Sequence, residues 1–239
     1  MRSSDPSAPS TWNAIPKSCL KYTAKSLMPS SAVAPRLVVS PFMSARSVVN
    51  SIGSIAPAEI AIARKVYPGK GQSAPVTALA NLAFSVPAGQ WLSIVGPSGS
   101  GKTTLLNLIA ALDTDMDGVI KLAGAVSGDS GAPGAVGYMF QSPRLMPWLS
   151  ALDNVRLALP ESADAKPAID LLNEMELGEF LHAFPKQLSG GMQRRVALAR
   201  SFAGKPTILL LDEPFLSLDA PSAERLRQLT VRAWQRHPA

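Results

Sequence analysis

The chain is poor in cysteine, in charge and in long apolar runs. Cys19 is the only cysteine in 239 residues, which excludes an intrachain disulfide and any cysteine-built metal cluster. Charged residues make up only 17% against 46% hydrophobic, so one α/β domain with a sizeable core, plus an extension, is within reach. No stretch approaches the about 18–20 uninterrupted apolar residues of a membrane-spanning helix. The longest aliphatic runs, such as Ile208–Leu211, have strand length. A membrane process would therefore be served from the aqueous side, through a partner.

Acids are nearly missing from residues 1–58, where Arg2, Lys17, Lys21, Lys25, Arg36 and Arg46 face Asp5 alone. The formal net charge of +6 is concentrated there, and the rest of the chain carries 17 basic and 16 acidic residues. So neutral a body gives no case for nucleic-acid binding. This first stretch is also rich in Ser, Pro and Ala, with Pro6, Pro9, Pro16, Pro29, Pro35, Pro41 and Pro57 interrupting any element. Its composition resembles an organellar transit peptide, but no amphipathic Arg-bearing helix is evident. A disordered tail, or translation from a start codon set too far upstream, is the alternative. Removing residues 1–58 is then expected to leave melting temperature and nucleotide binding almost unchanged.

From Glu59 strands and helices alternate. Gln90–Val95 and Thr207–Leu211 read as buried strands of a parallel sheet covered on both faces, and Thr103–Leu112 as a helix. Ser150–Leu188 is mostly helical in pattern.

Between the first strand and its helix lies Gly96, Pro97, Ser98, Gly99, Ser100, Gly101, Lys102, Thr103 and Thr104. Its glycines let successive amides point inward at phosphate oxygens, and the helix N-terminus adds partial positive charge. Lys102 is placed to reach the β- and γ-phosphates and the Thr103 hydroxyl to ligate Mg²⁺. Kinases, GTPases and motors share this loop. The strand Ile208–Leu211 ends in Asp212 and Glu213, at the C-terminal edge where ligands of open α/β sheets sit. Asp212 suits a Mg²⁺ partner, usually through water, and Glu213 a proton acceptor for an attacking water. A lone carboxylate there reads equally as a solvated turn; a pair behind a phosphate loop does not.

Leu188–Arg195 reads LSGGMQRR, in which Ser189 and the Gly190 and Gly191 amides open a helix able to face a phosphate. Alone, the string is an ordinary serine N-cap. About 20 residues before a carboxylate pair, with a phosphate loop upstream, it resembles the signature of the nucleotide-binding subunit of ABC transporters. The resemblance runs from Ala63 to the last residue. It implies a P-loop α/β domain with a peripheral antiparallel β portion and a helical subdomain inserted at about 142–188. It also implies ATP and Mg²⁺ as ligands, and a two-fold dimer in which each signature meets ATP held by the other subunit. Gln141 matches the glutamine that touches Mg²⁺ and the attacking water. Ser217, Leu218 and Asp219 match the loop lying across the dimer interface, and Tyr67 the aromatic that stacks adenine. Arg144–Trp148 resembles a stretch of nitrate, sulfonate and taurine importers that receives the membrane subunit.

The implied protein is an ATP-hydrolysing importer subunit for nitrate, sulfonate or a similar small anion, peripheral on the cytoplasmic face of the inner or plasma membrane. Its partners would be a second copy, membrane permease subunits and, indirectly, a substrate-binding protein. The alternatives are a truncated nucleotide-binding fragment and a soluble ABC ATPase outside transport. Two departures bear on the choice. Arg194 stands where many members carry Gln. The family's switch histidine follows a further strand, whereas here the helix Ala223–Trp234 is followed by Gln235, Arg236, His237, Pro238 and Ala239. His237 comes too early for that role. The C-terminal part is thus expected to be missing and hydrolysis weak or absent, with strands Gln90–Val95 and Thr207–Leu211 short of a neighbour.

Overall fold

The computed structural model describes residues 38–44, 58–69, 71, 73–87, 89–122, 125–126 and 136–237. The strands are β1 (Val38–Ser44), β2 (Ala58–Tyr67), β3 (Val76–Val86), β4 (Gln90–Val95), β5 (Asp117–Leu122), β6 (Ala125–Val126), β7 (Val136–Met139) and β8 (Ile208–Leu211). The helices are α1 (Lys102–Ile109), α2 (Ala151–Arg156), α3 (Lys166–Glu174), α4 (Gly190–Ala203) and α5 (Ala220–Arg236).

An antiparallel sheet in the order β3-β2-β5-β6 forms the peripheral β portion. β2 alternates inward Ala58, Ile60 and Ile62 with outward neighbours. Its pairing then slips at Ile62–Arg64 against β5 and at Lys65–Val66 against β3. A bulge re-aims the side chains that follow it, and here it turns Lys65 inward. The side chain is 2% exposed and bonded to the Asp113 carboxylate at 2.9 Å and the Asp115 carbonyl at 2.5 Å.

β7 and β8 form a parallel pair, Val136 beside Ile208 through Met139 beside Leu211. This ladder separates two cores. Leu210 belongs with Ile60, Ile62, Leu105, Leu108 and Ile120 under the antiparallel sheet. Leu209 and Leu211 pack on the other cluster, built from α2, α3, α4 and α5 around Leu172, Met175, Val196 and Phe202. Period-two alternation thus makes the aliphatic run of β8 apolar on both faces. α2, α3 and two 3₁₀ turns, Gly178–Phe180 and Pro185–Gln187, lie between β7 and α4. Asn154, on α2 and fully buried, pins the loop before it: Oδ1 accepts from Met146 N at 2.8 Å, and Nδ2 donates to Met146 O, Leu149 O and Ser150 O at 3.0–3.2 Å.

Two findings differ from the sequence expectation. Residues 38–44 lie inside the stretch expected to be a tail, yet form β1, which pairs antiparallel with β4 from Val38 beside Val95 to Ser44 beside Gln90. The register breaks between Pro41 and Met43, where proline has no N–H to give a ladder. The rest of residues 1–57 lies outside the described residues. Second, β4 is not in a parallel ladder: among the described residues its strand partner is β1. At the far end of the chain Trp234, near the close of α5, meets Trp91 of β4 edge-on, with ring centroids 5.4 Å apart.

Candidate functional site

The loop between β4 and α1 closes on itself at Gly101, whose φ is 92°. A Cβ there would stand 2.8 Å from Ala78 O on β3, so the close approach as well as the left-handed backbone calls for glycine. α1 then begins at Lys102 and buries Leu105, Leu106, Leu108 and Ile109. That anchoring fixes the loop's position against the sheet. Ser100 Oγ is buried with no hydrogen-bond partner. Such an orphan in a glycine-rich loop at a helix N-terminus suits an anionic ligand.

Five other motif side chains are linked to one another by polar contacts. Lys102 Nζ donates to Gly96 O at 2.9 Å and Pro97 O at 3.0 Å, and lies 3.5 Å from Glu213 Oε1. Thr103 Oγ1 donates to Asp212 Oδ2 at 2.9 Å. Gln141 Nε2 donates to Glu213 Oε2 at 2.9 Å. The alternation along β8 explains the split of the carboxylates. Asp212 falls on the face of Leu210, toward α1 and Thr103, and its N–H extends the ladder to Met139 O at 2.9 Å. Glu213 has φ 46°, a strained conformation for a non-glycine that costs about 1–3 kcal/mol. The turn aims it at Lys102 and Gln141. Together Gly96, Ser98, Lys102, Gln141, Glu213 and Leu216 line a cavity of about 490 Å³.

Burial pushes the Asp212 carboxyl above the ordinary carboxylate range, and the Glu213 charge adds to this. The Thr103 hydroxyl and Lys102 oppose it. A carboxylate 3% exposed under that pressure gains from a cation. Burial, with the Asp212 charge behind it, also pushes the Tyr138 phenol up to about 12, so Tyr138 stays a donor to Asn107 Oδ1 at 3.1 Å.

Ser189, Gly190 and Gly191 stand elsewhere, at the N-terminus of α4. Ser189 Oγ accepts from Met192 N at 3.2 Å, the capping bond its sequence suggests. Cβ atoms built at Gly190 and Gly191 would meet nothing within 4 Å, so this turn faces open space. Tyr67, the expected adenine-stacking residue, does not line the cavity. Its hydroxyl donates to Asp113 Oδ2 at 3.3 Å and Lys65 Nζ sits 4.8 Å from its ring centre. His237 lies away from the cavity, with Nε2 3.4 Å from Glu174 Oε1.

Sequence reasoning missed Leu216 in the cavity wall and the Arg144 guanidinium 4.0 Å from the Phe140 ring centre, itself stacked on Tyr138. It also missed the direct Thr103–Asp212 bond, spanning 109 positions; only the shared Mg²⁺ role hinted at it.

A strand, a glycine-rich loop opening a helix, and a carboxylate pair ending a second strand define a P-loop nucleotide-binding ATPase. The chain belongs to the ABC transporter family, whose model matches residues 79–216. It is 41% identical over 198 residues to the aliphatic sulfonates import ATP-binding protein SsuB 2 of Burkholderia cenocepacia, covering 82% of this chain and 70% of that one. It is 42% identical over 185 residues to the nitrate import ATP-binding protein NrtD of Synechocystis sp., covering 74% and 67%. Among solved structures it is similar to the dimeric post-hydrolysis state of the ATP-binding cassette MJ0796 bound to ADP and Pi. There the TM-score is 0.65 and the identity 30%, over 75% of this chain and 84% of that one.

Proposed function

We propose that this chain is the ATP-binding, ATP-hydrolysing subunit of an importer for a sulfonate, nitrate or similar small anion. The observation that carries the reading is that Lys102, Gln141 and Glu213 meet in one cavity at the phosphate loop, while the next residues along, Thr103 and Asp212, are bonded to each other. The importer class and the anion rest on similarity to the sulfonate and nitrate import subunits.

The chemistry asked of the protein is positioning and charge stabilisation. Lys102 exchanges its contacts to Gly96 O and Pro97 O for phosphate oxygens, so no free charge is buried in the exchange. Mg²⁺ fits the hard oxygen donors Thr103 Oγ1 and Asp212, with Gln141 beside them, and when bound it neutralises charge on the β- and γ-phosphates. Glu213 accepts the proton of the attacking water, and Gln141 holds that carboxylate in place. The open turn at Ser189, Gly190 and Gly191 faces nucleotide held by a second copy in a two-fold dimer. Membrane permease subunits take up the motion and a substrate-binding protein supplies the solute; no nucleic acid is involved. No helix among the described residues is long and apolar enough to cross a membrane. The chain's similarity to import ATP-binding subunits supports docking as a peripheral protein on the cytoplasmic face.

Calorimetry with Mg²⁺ and ATP tests the assignment. Lys102→Ala is expected to weaken ATP binding at least about tenfold, since it removes a charge-assisted contact. Undiminished affinity in the folded variant would overturn it.

A further inference from the structure

Arg194, one of the two points where the chain departs from its family resemblance, has a specific place in the fold. Its guanidinium Nη1 donates to Pro214 O at 3.1 Å. The next residue turns the other way: Arg195 Nη1 donates to Met175 O at 3.0 Å and lies 3.6 Å from Glu176. Two consecutive arginines thus tie α4 to two neighbours, Arg195 to the end of α3 and Arg194 to the loop leaving β8.

Pro214 directly follows Glu213, whose backbone is strained at φ 46°. Such a conformation persists only where surrounding contacts over-determine it. The contacts holding it are Asp212 N to Met139 O at 2.9 Å, Leu216 N to Glu213 O at 3.1 Å, Gln141 to the carboxylate at 2.9 Å, Lys102 Nζ at 3.5 Å from it, and Arg194 to Pro214 O. The first two come from β7 and from the loop itself. Arg194 holds the loop from the helix that begins at Ser189, about 7–8 Å away along its axis. Proline fixes its own φ, so pinning its carbonyl restrains the ring and, through the ring, the peptide that carries Glu213.

We propose that Arg194 is a positioning residue that makes the placement of the Glu213 carboxylate depend on where α4 stands. It rests on the assignment of Glu213 as the group that handles the attacking water. A displacement at the N-terminus of α4, where Gly190 and Gly191 face open space, is carried through Arg194 to the Pro214 carbonyl of the same chain. The signature turn then acts on hydrolysis in its own subunit as well as on the nucleotide opposite.

The test compares the full chain with Arg194→Met, Arg194→Lys and Glu213→Gln. Hydrolysis is followed under single-turnover and steady-state conditions, ATP affinity by calorimetry, and residues 212–217 by amide hydrogen exchange. Arg194→Met is expected to lower kcat about tenfold to a hundredfold, with KM and ATP affinity within about twofold of wild type. Exchange at the Leu216 amide, bonded to Glu213 O, is expected to rise about tenfold as the turn loosens. Arg194→Lys keeps one charged donor and is expected to recover part of both. The exchange readout does not depend on turnover. Wild-type exchange in Arg194→Met, or a raised KM at unchanged kcat, overturns the proposal. Wild-type turnover by Glu213→Gln overturns the assignment beneath it and the proposal with it. Abolished turnover there, with Arg194→Met unaffected, overturns the proposal alone.

Discussion

Asn154→Ala should be among the most damaging single substitutions outside the nucleotide site. Asn154 is fully buried, its Oδ1 accepts once and its two Nδ2 hydrogens are shared among three carbonyls, all in the 146–150 stretch. Each full bond contributes about 1 kcal/mol net and a shared one less, giving about 3–4 kcal/mol if none is replaced. Trp148 on that loop is 69% exposed, so water can reach part of the freed backbone and an effect of about 2–4 kcal/mol is expected. For a domain of this length that is a fall in melting temperature of about 5–15 °C. Asn154→Asp keeps the acceptor for Met146 N but sets a charge among three carbonyls, so it should be at least as damaging. Urea unfolding followed by tryptophan fluorescence measures both, and an unchanged slope would show that the unfolded state is unaltered. ATP affinity should survive at temperatures where the variant is folded, because the phosphate loop rests on the other core. A loss below about 1 kcal/mol in both variants would show that the four bonds do not hold the loop.

Three further predictions follow from other parts of the molecule. Ser189→Arg should leave monomer ATP binding intact while blocking ATP-dependent dimerisation, measured by light scattering; weakened monomer binding would mean that the signature serves its own phosphate loop. Deleting residues 1–44 removes β1 and leaves the β4 ladder unpaired, so melting temperature should fall by several degrees, about 1–2 kcal/mol of stability; an unchanged value would restore the tail reading. The Lys65–Asp113 pair sets a pH window. Burial works against each charge, but their mutual hydrogen bond prevails, leaving Lys65 above its ordinary 10.5 and Asp113 below its ordinary 3.8. The stability lost in Lys65→Met should thus be constant between about pH 5 and 9. It should shrink as pH falls through the depressed Asp113 value, below 3.8, or rises through the elevated Lys65 value, above 10.5. A slope inside that window, in melts across pH, would refute the pairing.

What could be read from the sequence was what short spacing decides. The phosphate loop, the start of α1 and the run of β8 follow from neighbouring residues, and Ser189 caps α4 as its Ser-Gly-Gly string suggests. Helix ends moved by a few residues: α1 stops at Ile109 rather than Leu112, and α5 spans Ala220–Arg236 rather than Ala223–Trp234. Asp219 caps α5, accepting from Ser222 N at 3.4 Å, and Pro221 suits its first turn. Hidden from the sequence were partners chosen across long separations. Pro41 and the lack of alternation argued against a strand at 38–44, but pairing with β4 is a property of β4's edge as much as of that segment. Lys65 breaks the polar-out pattern because a bulge, invisible in composition, turns it inward. Tyr67 could be placed by its position before the phosphate loop, not by its bond to Asp113, 46 residues on.

The edge-on contact of Trp91 and Trp234 gives the protein a built-in optical gauge. One indole sits on the strand that feeds the phosphate loop, the other near the end of the helix that starts at Asp219. With ring centres 5.4 Å apart, the pair is close enough for its excited states to couple, and that coupling weakens steeply as the rings part. A shift of the helix against the strand would register in circular dichroism and emission without any attached label. Trp91→Phe or Trp234→Phe would each erase the coupled signal, separating it from the contributions of Trp12 and Trp148.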